Sequence, residues 1–280
     1  MDMKGKVVLI TGATSGIGTK TALGLAKLGA TVVFTTRDDW RGETTRQDLV
    51  RLSGGNQNIE PFPCDLSSFD SIRAFAKAFQ AKHDRLHVLI NNAGTWERVR
   101  KESKDGFELT WAVNLLAPFL LTNLLLDTVV KSAPARVVNV SSGLHPRGRL
   151  VLDDPEQKQG KFDGSAAYTQ SKVAIILFTN ELARRLEGKG VTANSLAPGW
   201  VATNLSRNAG AFSRMMMNMM AAKPAKGALT SIYAATAPEL ENVTGKYLSD
   251  QKVAESSPES NDAEKAKRLW DICEKQVKLQ

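Results

Sequence analysis

The chain has 280 residues, 42% of them apolar and 24% charged, a composition that suits one globular domain with a full core and excludes a disordered or collagen-like chain. Its net charge of +8 points to an anionic small ligand rather than to nucleic acid, because the basic cluster Arg98, Arg100, Lys101 and Lys104 stands in no nucleic-acid-binding signature. Two widely separated cysteines, Cys64 and Cys273, exclude a disulfide framework and match no metal-ligand spacing, so a reducing compartment and no metal are expected.

The chain starts MDMKGKVVLITG and passes at once into strand-like sequence, with no room for a signal peptide and no apolar run long enough to span a bilayer. A cytoplasmic protein without a membrane span is expected. Short β-branched runs then alternate with segments of helical period: KVVLI, IGTKTALGLAKLG, TVVFTT, a charged helix-like stretch, IEPFPC, SIRAFAKAFQAKH and LHVLI. The rhythm resumes with FELTWAVNLLAPFLLTNLLLDTVV as one long helix, RVVNVSS as a strand, YTQSKVAIILFTNELARRLEG as a helix and VTANSLAPG as a strand, with GKYLSD as a seventh strand. Continuous apolar strands alternating with helices predict an α/β fold: one Rossmann-type, doubly wound parallel sheet of about seven strands with helices on both faces, in a single domain over residues 1–280. After Asp250 the sequence reads as a loop and then a helix around 261–277, with Asn261 or Asp262 as N-cap.

Directly after the first strand, TGATSGIG places Gly12, Gly16 and Gly18 at the start of a helix. Glycines allow backbone to approach a pyrophosphate, and free N–H groups at a helix start hold the anion, so Gly12, Thr14, Ser15, Gly16, Ile17 and Gly18 are candidate dinucleotide contacts. The tip of the second strand carries Arg37 where an acid would bind a ribose 2′-hydroxyl. A guanidinium there suits a 2′-phosphate and favours NADP(H), with Asp38 beside it as an opposing charge. Later strand ends bring Asp65 and Leu66 toward an adenine ring, and NNAG offers Asn91, Ala93 and Gly94 beside the cofactor.

TGATSGIG, NNAG, VNVSS, YTQSK and APG, in this order and at about these spacings, resemble the short-chain dehydrogenase/reductase family over roughly Lys6 to Asp250. ELTWAVNLLAPFLLTNLLL, RVVNVSSGLH and GKYLSD most resemble its retinol-dehydrogenase-like branch, which includes the oxidoreductase domain of WW-domain oxidoreductase. Against the membrane-bound retinol dehydrogenases the sequence departs by lacking an N-terminal anchor, which puts retinoid processing at a membrane in doubt.

Tyr168 and Lys172 are spaced i, i+4 and share one helix face. A neighbouring ammonium and an oxidised nicotinamide both favour the phenolate, so Tyr168 is expected to have a lowered pKa and to act as general acid or base. The resemblance implies that Lys172 also binds the nicotinamide ribose, that Ser142 polarises the substrate oxygen, and that Asn114 kinks its helix and holds a water that links Lys172 to solvent. It further implies that Pro198, Gly199, Val201 and Thr203 meet the nicotinamide carboxamide.

The substrate-binding set is Ser142, Leu144, Tyr168 and Trp200, with Thr95 or Trp96 and His145 nearby. His145 is not expected to be the acid or base. A lid around residues 200–223 contains the methionine-rich AFSRMMMNMMAA, a surface suited to an elongated apolar ligand. These readings lead to an NADP-dependent carbonyl reductase or alcohol dehydrogenase for a small apolar carbonyl or alcohol. Family habit implies a homodimer or homotetramer. The competing readings are a non-catalytic NADP(H)-sensing binding protein and a protochlorophyllide-type reductase; the tyrosine and lysine weigh against the first, and the lack of a cysteine near the predicted site weighs against the second.

Overall fold

A computed structural model describes residues 2–198 and 224–279. The β-branched runs form β1 (Val7–Ile10), β2 (Thr31–Thr36), β3 (Ile59–Pro63), β4 (Val88–Asn91), β5 (Ala135–Val140), β6 (Val191–Ala197) and β7 (Tyr247–Ser249), all mutually parallel. An eighth strand, β8 (Lys252–Ala254), adds antiparallel to β7 and completes the order β3-β2-β1-β4-β5-β6-β7-β8. The order reverses beside β1, so the crevice between the carboxyl ends of β1 and β4 is the place where ligands bind in open parallel sheets.

The period of two along each strand sends alternate residues to two separate cores. Val8, Ile10, Val32, Phe34, Ile90 and Val138 pack on α1 (Gly16–Lys27), α2 (Asp39–Leu52) and α8 (Pro224–Thr236). Leu9, Val33, Leu89 and Val137 face the other way, onto α3 (Phe69–Lys82), α5 (Ala117–Leu124) and α7 (Gly164–Arg185). The C-terminal helix α9 (Ala263–Gln276) covers α7, and the carboxylate of Asp262 caps it by accepting from the Lys265 N–H at 2.9 Å.

The expected long helix is divided. α4 (Leu109–Trp111), capped by Glu108, runs into a π turn (Ala112–Leu116) before α5, and α6 (Leu126–Val130) follows a break at Leu125. Pro118 has no N–H to give the carbonyl four residues back, that of Asn114, while Ala117 bonds instead to Ala112. The wide turn therefore falls on Asn114.

Among the described residues, no helix is long and apolar enough to cross a membrane, and no cluster of His, Cys, Asp or Glu has metal-binding geometry. Gly199, Trp200, Val201, Thr203 and the methionine-rich lid lie outside the described residues.

Candidate active site

The glycine-rich turn is clamped to the end of β4. Gly12 has φ +71°, and a Cβ there would sit 2.9 Å from the Ala93 Cα; a Cβ on Gly18 would collide with the Gly12 carbonyl oxygen. Asn92 Nδ2 donates to the Thr11 carbonyl at 2.8 Å, and the Thr11 hydroxyl accepts from the N–H groups of Asn92 and Ala93. Ser15 is the N-cap of α1, yet its hydroxyl caps no helix amide, and the first turn carries no acid. Thr14, Ser15 and Ile17 thus surround a helix start whose free amides and positive dipole end suit an anion.

Arg37 is exposed just beyond β2. Asp38 beside it caps α2, its Oδ1 accepting from the Arg41 N–H at 3.1 Å. Arg41 is also exposed, so two guanidinium-bearing residues flank this tip.

Two residues expected at the cofactor also bond within the protein. Burial pushes the Asp65 carboxyl up, but hydrogen bonds from Ser67 and the Lys104 ammonium, 3.0 Å away, outweigh it and hold the pKa below the usual value. Its oxygens hold this turn, while Leu66 beside it is half-buried against the core. The Asn91 side chain points into the protein, donating to Thr122 at 3.0 Å and to Asn139 at 2.8 Å. The period of two that turns Asn91 inward turns Asn92 outward. The surface cluster is likewise largely neutralised: Arg100 pairs with Glu102, Lys101 with Glu97 and Lys104 with Asp65.

At the carboxyl end of β5, the predicted four residues converge. Lys172 is buried and its Nζ donates to the Val140 carbonyl at 3.0 Å. A Cβ on Gly94 would lie 3.2 Å from Asn114 Oδ1 and 3.5 Å from Lys172 Nζ, so this glycine separates the two by its lack of a side chain. Asn114 donates to the Ser171 hydroxyl and to the Thr95 carbonyl, both at 3.0 Å. The Ser142 hydroxyl lies close enough to the Tyr168 phenol to oppose the effect of burial on it.

Burial sets the electrostatics here. It pushes Tyr168 up against the opposing Ser142 hydroxyl, and it pulls Lys172 down to about 8. The expected lowering of the tyrosine by its lysine is not found in the protein alone: burial raises it, with the ammonium 5.6 Å from the ring centroid.

The sequence profile of short chain dehydrogenases matches residues 6–214. Mouse retinol dehydrogenase 13 is 43% identical over 274 residues, covering 95% of this chain and 82% of the relative. Human retinol dehydrogenase 14 is 43% identical over 295 residues, covering 99% and 88%.

The chain belongs to the short-chain dehydrogenase family, in its retinol-dehydrogenase-like branch. Among solved structures, this dehydrogenase resembles an uncharacterised protein from Mycobacterium paratuberculosis, with TM-score 0.81 and 32% identity over 99% of this chain and 95% of that one. It also resembles the NADP active-site complex of Pseudomonas aeruginosa RhlG, with TM-score 0.70 and 29% identity over 88% and 95%.

Some residues of this short-chain dehydrogenase escaped the sequence reading although they lie inside or beside the motifs. Of the two serines ending VNVSS, Ser141 ties α7 to β5 by donating to the Lys172 carbonyl at 2.7 Å. Ser171 receives Asn114. His145, expected beside the substrate with Leu144, is instead buried: its Nδ1 lies 2.9 Å from the Ser142 carbonyl and its Nε2 accepts from the Ser257 N–H at 3.0 Å. That fixes a neutral ring with the proton on Nδ1, linking the Ser142 turn to the C-terminal segment, while Leu144 stays half-buried.

His87 also accepts a backbone N–H, from Val7 at 3.0 Å. Burial lowers both imidazoles below their ordinary 6.5, so in acid the unfolded chain takes up protons that the native rings refuse. Stability should be whole above about pH 6.5 and should decline as pH falls from there through the two native pKa values. Thermal melts across this range check it: H87Q and H145Q should each flatten the decline.

Proposed function

We propose that the protein is an NADP(H)-dependent carbonyl reductase or alcohol dehydrogenase acting on a small apolar aldehyde, ketone or alcohol. The observation that carries the reading is the convergence of Tyr168, Lys172, Ser142 and Asn114 at the sheet end next to the glycine-rich turn. The bound nicotinamide would supply or accept the hydride. Gly12, Thr14, Ser15, Gly16, Ile17 and Gly18 would seat the pyrophosphate, and Ala93, Gly94 and Pro198 would border the nicotinamide half with Lys172.

Tyr168 gives its proton to a carbonyl oxygen as negative charge develops there, or takes it back in the reverse direction. Its raised pKa keeps that proton in place at neutral pH. Ser142 donates to the same oxygen, which stabilises charge present mainly in the transition state. Asn114 keeps the wide turn of its helix open toward Lys172. Retinol dehydrogenases among the relatives support an apolar substrate.

The choice of NADP rests on Arg37, exposed beside Arg41 at the tip of β2. NADPH consumption against a panel of aldehydes, ketones and quinones tests the activity, with absence of turnover across all three classes counting against it. Arg37→Ala should weaken NADPH binding by about 1.5–3 kcal/mol, the worth of a charge-assisted hydrogen bond, and leave NADH almost unchanged. Fluorescence titration of both cofactors measures this, and equal losses would remove Arg37 from the phosphate site.

A further inference from the structure

The loop after β4 lays an aromatic ring on the tyrosine. The Trp96 indole is nearly parallel to the Tyr168 ring, with centroids 5.0 Å apart and planes at 18°. This indole is no swinging surface group, because both its neighbours are pinned. Thr95 N–H donates to Asn114 Oδ1 at 2.8 Å, and Asn114 Nδ2 returns a bond to the Thr95 carbonyl. On the other side Glu97 is 6% exposed; its carboxylate accepts from the Thr95 hydroxyl at 2.8 Å and pairs with Lys101 at 2.7 Å. Gly164, the first residue of α7, lies so close beneath that a Cβ would overlap the Glu97 carbonyl oxygen. The loop is thus fastened to the elements that carry Asn114 and Tyr168.

We propose that Trp96 is a positioning residue for the general acid: stacked on Tyr168, it fixes the plane of the phenol and shields that face from water. The catalytic role of Tyr168 is taken from the functional reading above; the geometry of the stack is independent of it. Offset stacking suits two aromatic rings held at this separation. Among the described residues, the groups placed against the phenol are Lys172 from α7, Ser142 from the turn after β5, and Trp96. Of the charged groups nearby, Glu97 is engaged with Thr95 and Lys101, Arg98 is exposed, and His145 is a neutral tether between Ser142 and Ser257.

Because burial raises the tyrosine, stripping the indole should lower it. The chain has three tyrosines, so subtracting the absorbance titration of Tyr168→Phe from that of its parent isolates the ionisation of Tyr168 without any turnover. In Trp96→Ala its midpoint should move to lower pH, and reduction should lose its acid at correspondingly lower pH. The kcat should fall about tenfold, a loss of about 1.4 kcal/mol, with the KM for cofactor unchanged. Trp96→Phe, which can still stack, should restore both readouts, whereas Trp96→Leu, with bulk but no flat ring, should behave like alanine in kcat.

A midpoint and kcat unchanged in Trp96→Ala, in an enzyme that turns over normally, would overturn the proposal and leave the functional reading standing. A midpoint that moves in Trp96→Ala and not in Trp96→Phe supports it even where no panel substrate reacts, and then the functional reading is what fails.

Discussion

Tyr168→Phe is expected to reduce turnover about 10²- to 10⁴-fold, the usual worth of a positioned general acid, while NADPH still binds. Phenylalanine keeps the ring, the stack on Trp96 and the packing at this buried site, where Tyr168 is 7% exposed. Only the hydroxyl with its transferable proton is lost. Lys172→Ala should be worse for binding, since the Val140 carbonyl loses its donor and the cofactor loses an ammonium. Steady-state NADPH oxidation with the best panel substrate, alongside cofactor titration, separates the two variants. Near-normal rates in Tyr168→Phe would show that some other group supplies the proton.

The second large effect is on stability. Trp270, from α9, packs edge-on against Phe119 at 4.8 Å and tilted against Phe178 at 5.8 Å, while the Arg185 guanidinium lies 4.0 Å over its ring. It is 4% exposed and joins α9 to both α5 and α7. Trp270→Ala should cost about 3–5 kcal/mol, the range for truncating a buried large aromatic side chain, with Arg185 also losing its cation–π partner. Trp270→Phe should cost far less, because the indole N–H has no hydrogen-bond partner among the described residues. Urea unfolding of the three proteins gives the comparison. An alanine variant within about 1 kcal/mol of the parent would mean that α9 adds little to the fold.

The parallel sheet was legible because its strands are buried on both faces and read as unbroken β-branched runs. β8 was not. It has three residues, and its hairpin turns through Asp250 and Gln251 at φ +49° and +60° without the glycine that usually marks such a turn. The helix around Asn114 read as one segment from its apolar period, which does not report a missing hydrogen bond; the kink at Asn114 was implied by the family resemblance, and Pro118 is its sign in the residues.

In the site, motif spacing found which residues gather, but not which way each side chain faces or which force prevails. Asp65 and the Asn91 amide nitrogen sit inside apt motifs yet also bond to the scaffold. The i, i+4 pair of Tyr168 and Lys172 suggested a dominant ammonium, whereas the depth of both groups, a product of long-range packing, decides their protonation.

The edge strands carry one more consequence. Cys64 directs its N–H to Thr36 of β2, so the odd-numbered residues of β3 turn their nitrogens to the unpaired side, and there stand Pro61 and Pro63. Prolines have no hydrogen to offer an incoming chain. At the opposite rim the short β8 holds out Lys252. Prolines on one rim and a lysine on the short strand of the other discourage growth of the sheet by strand addition.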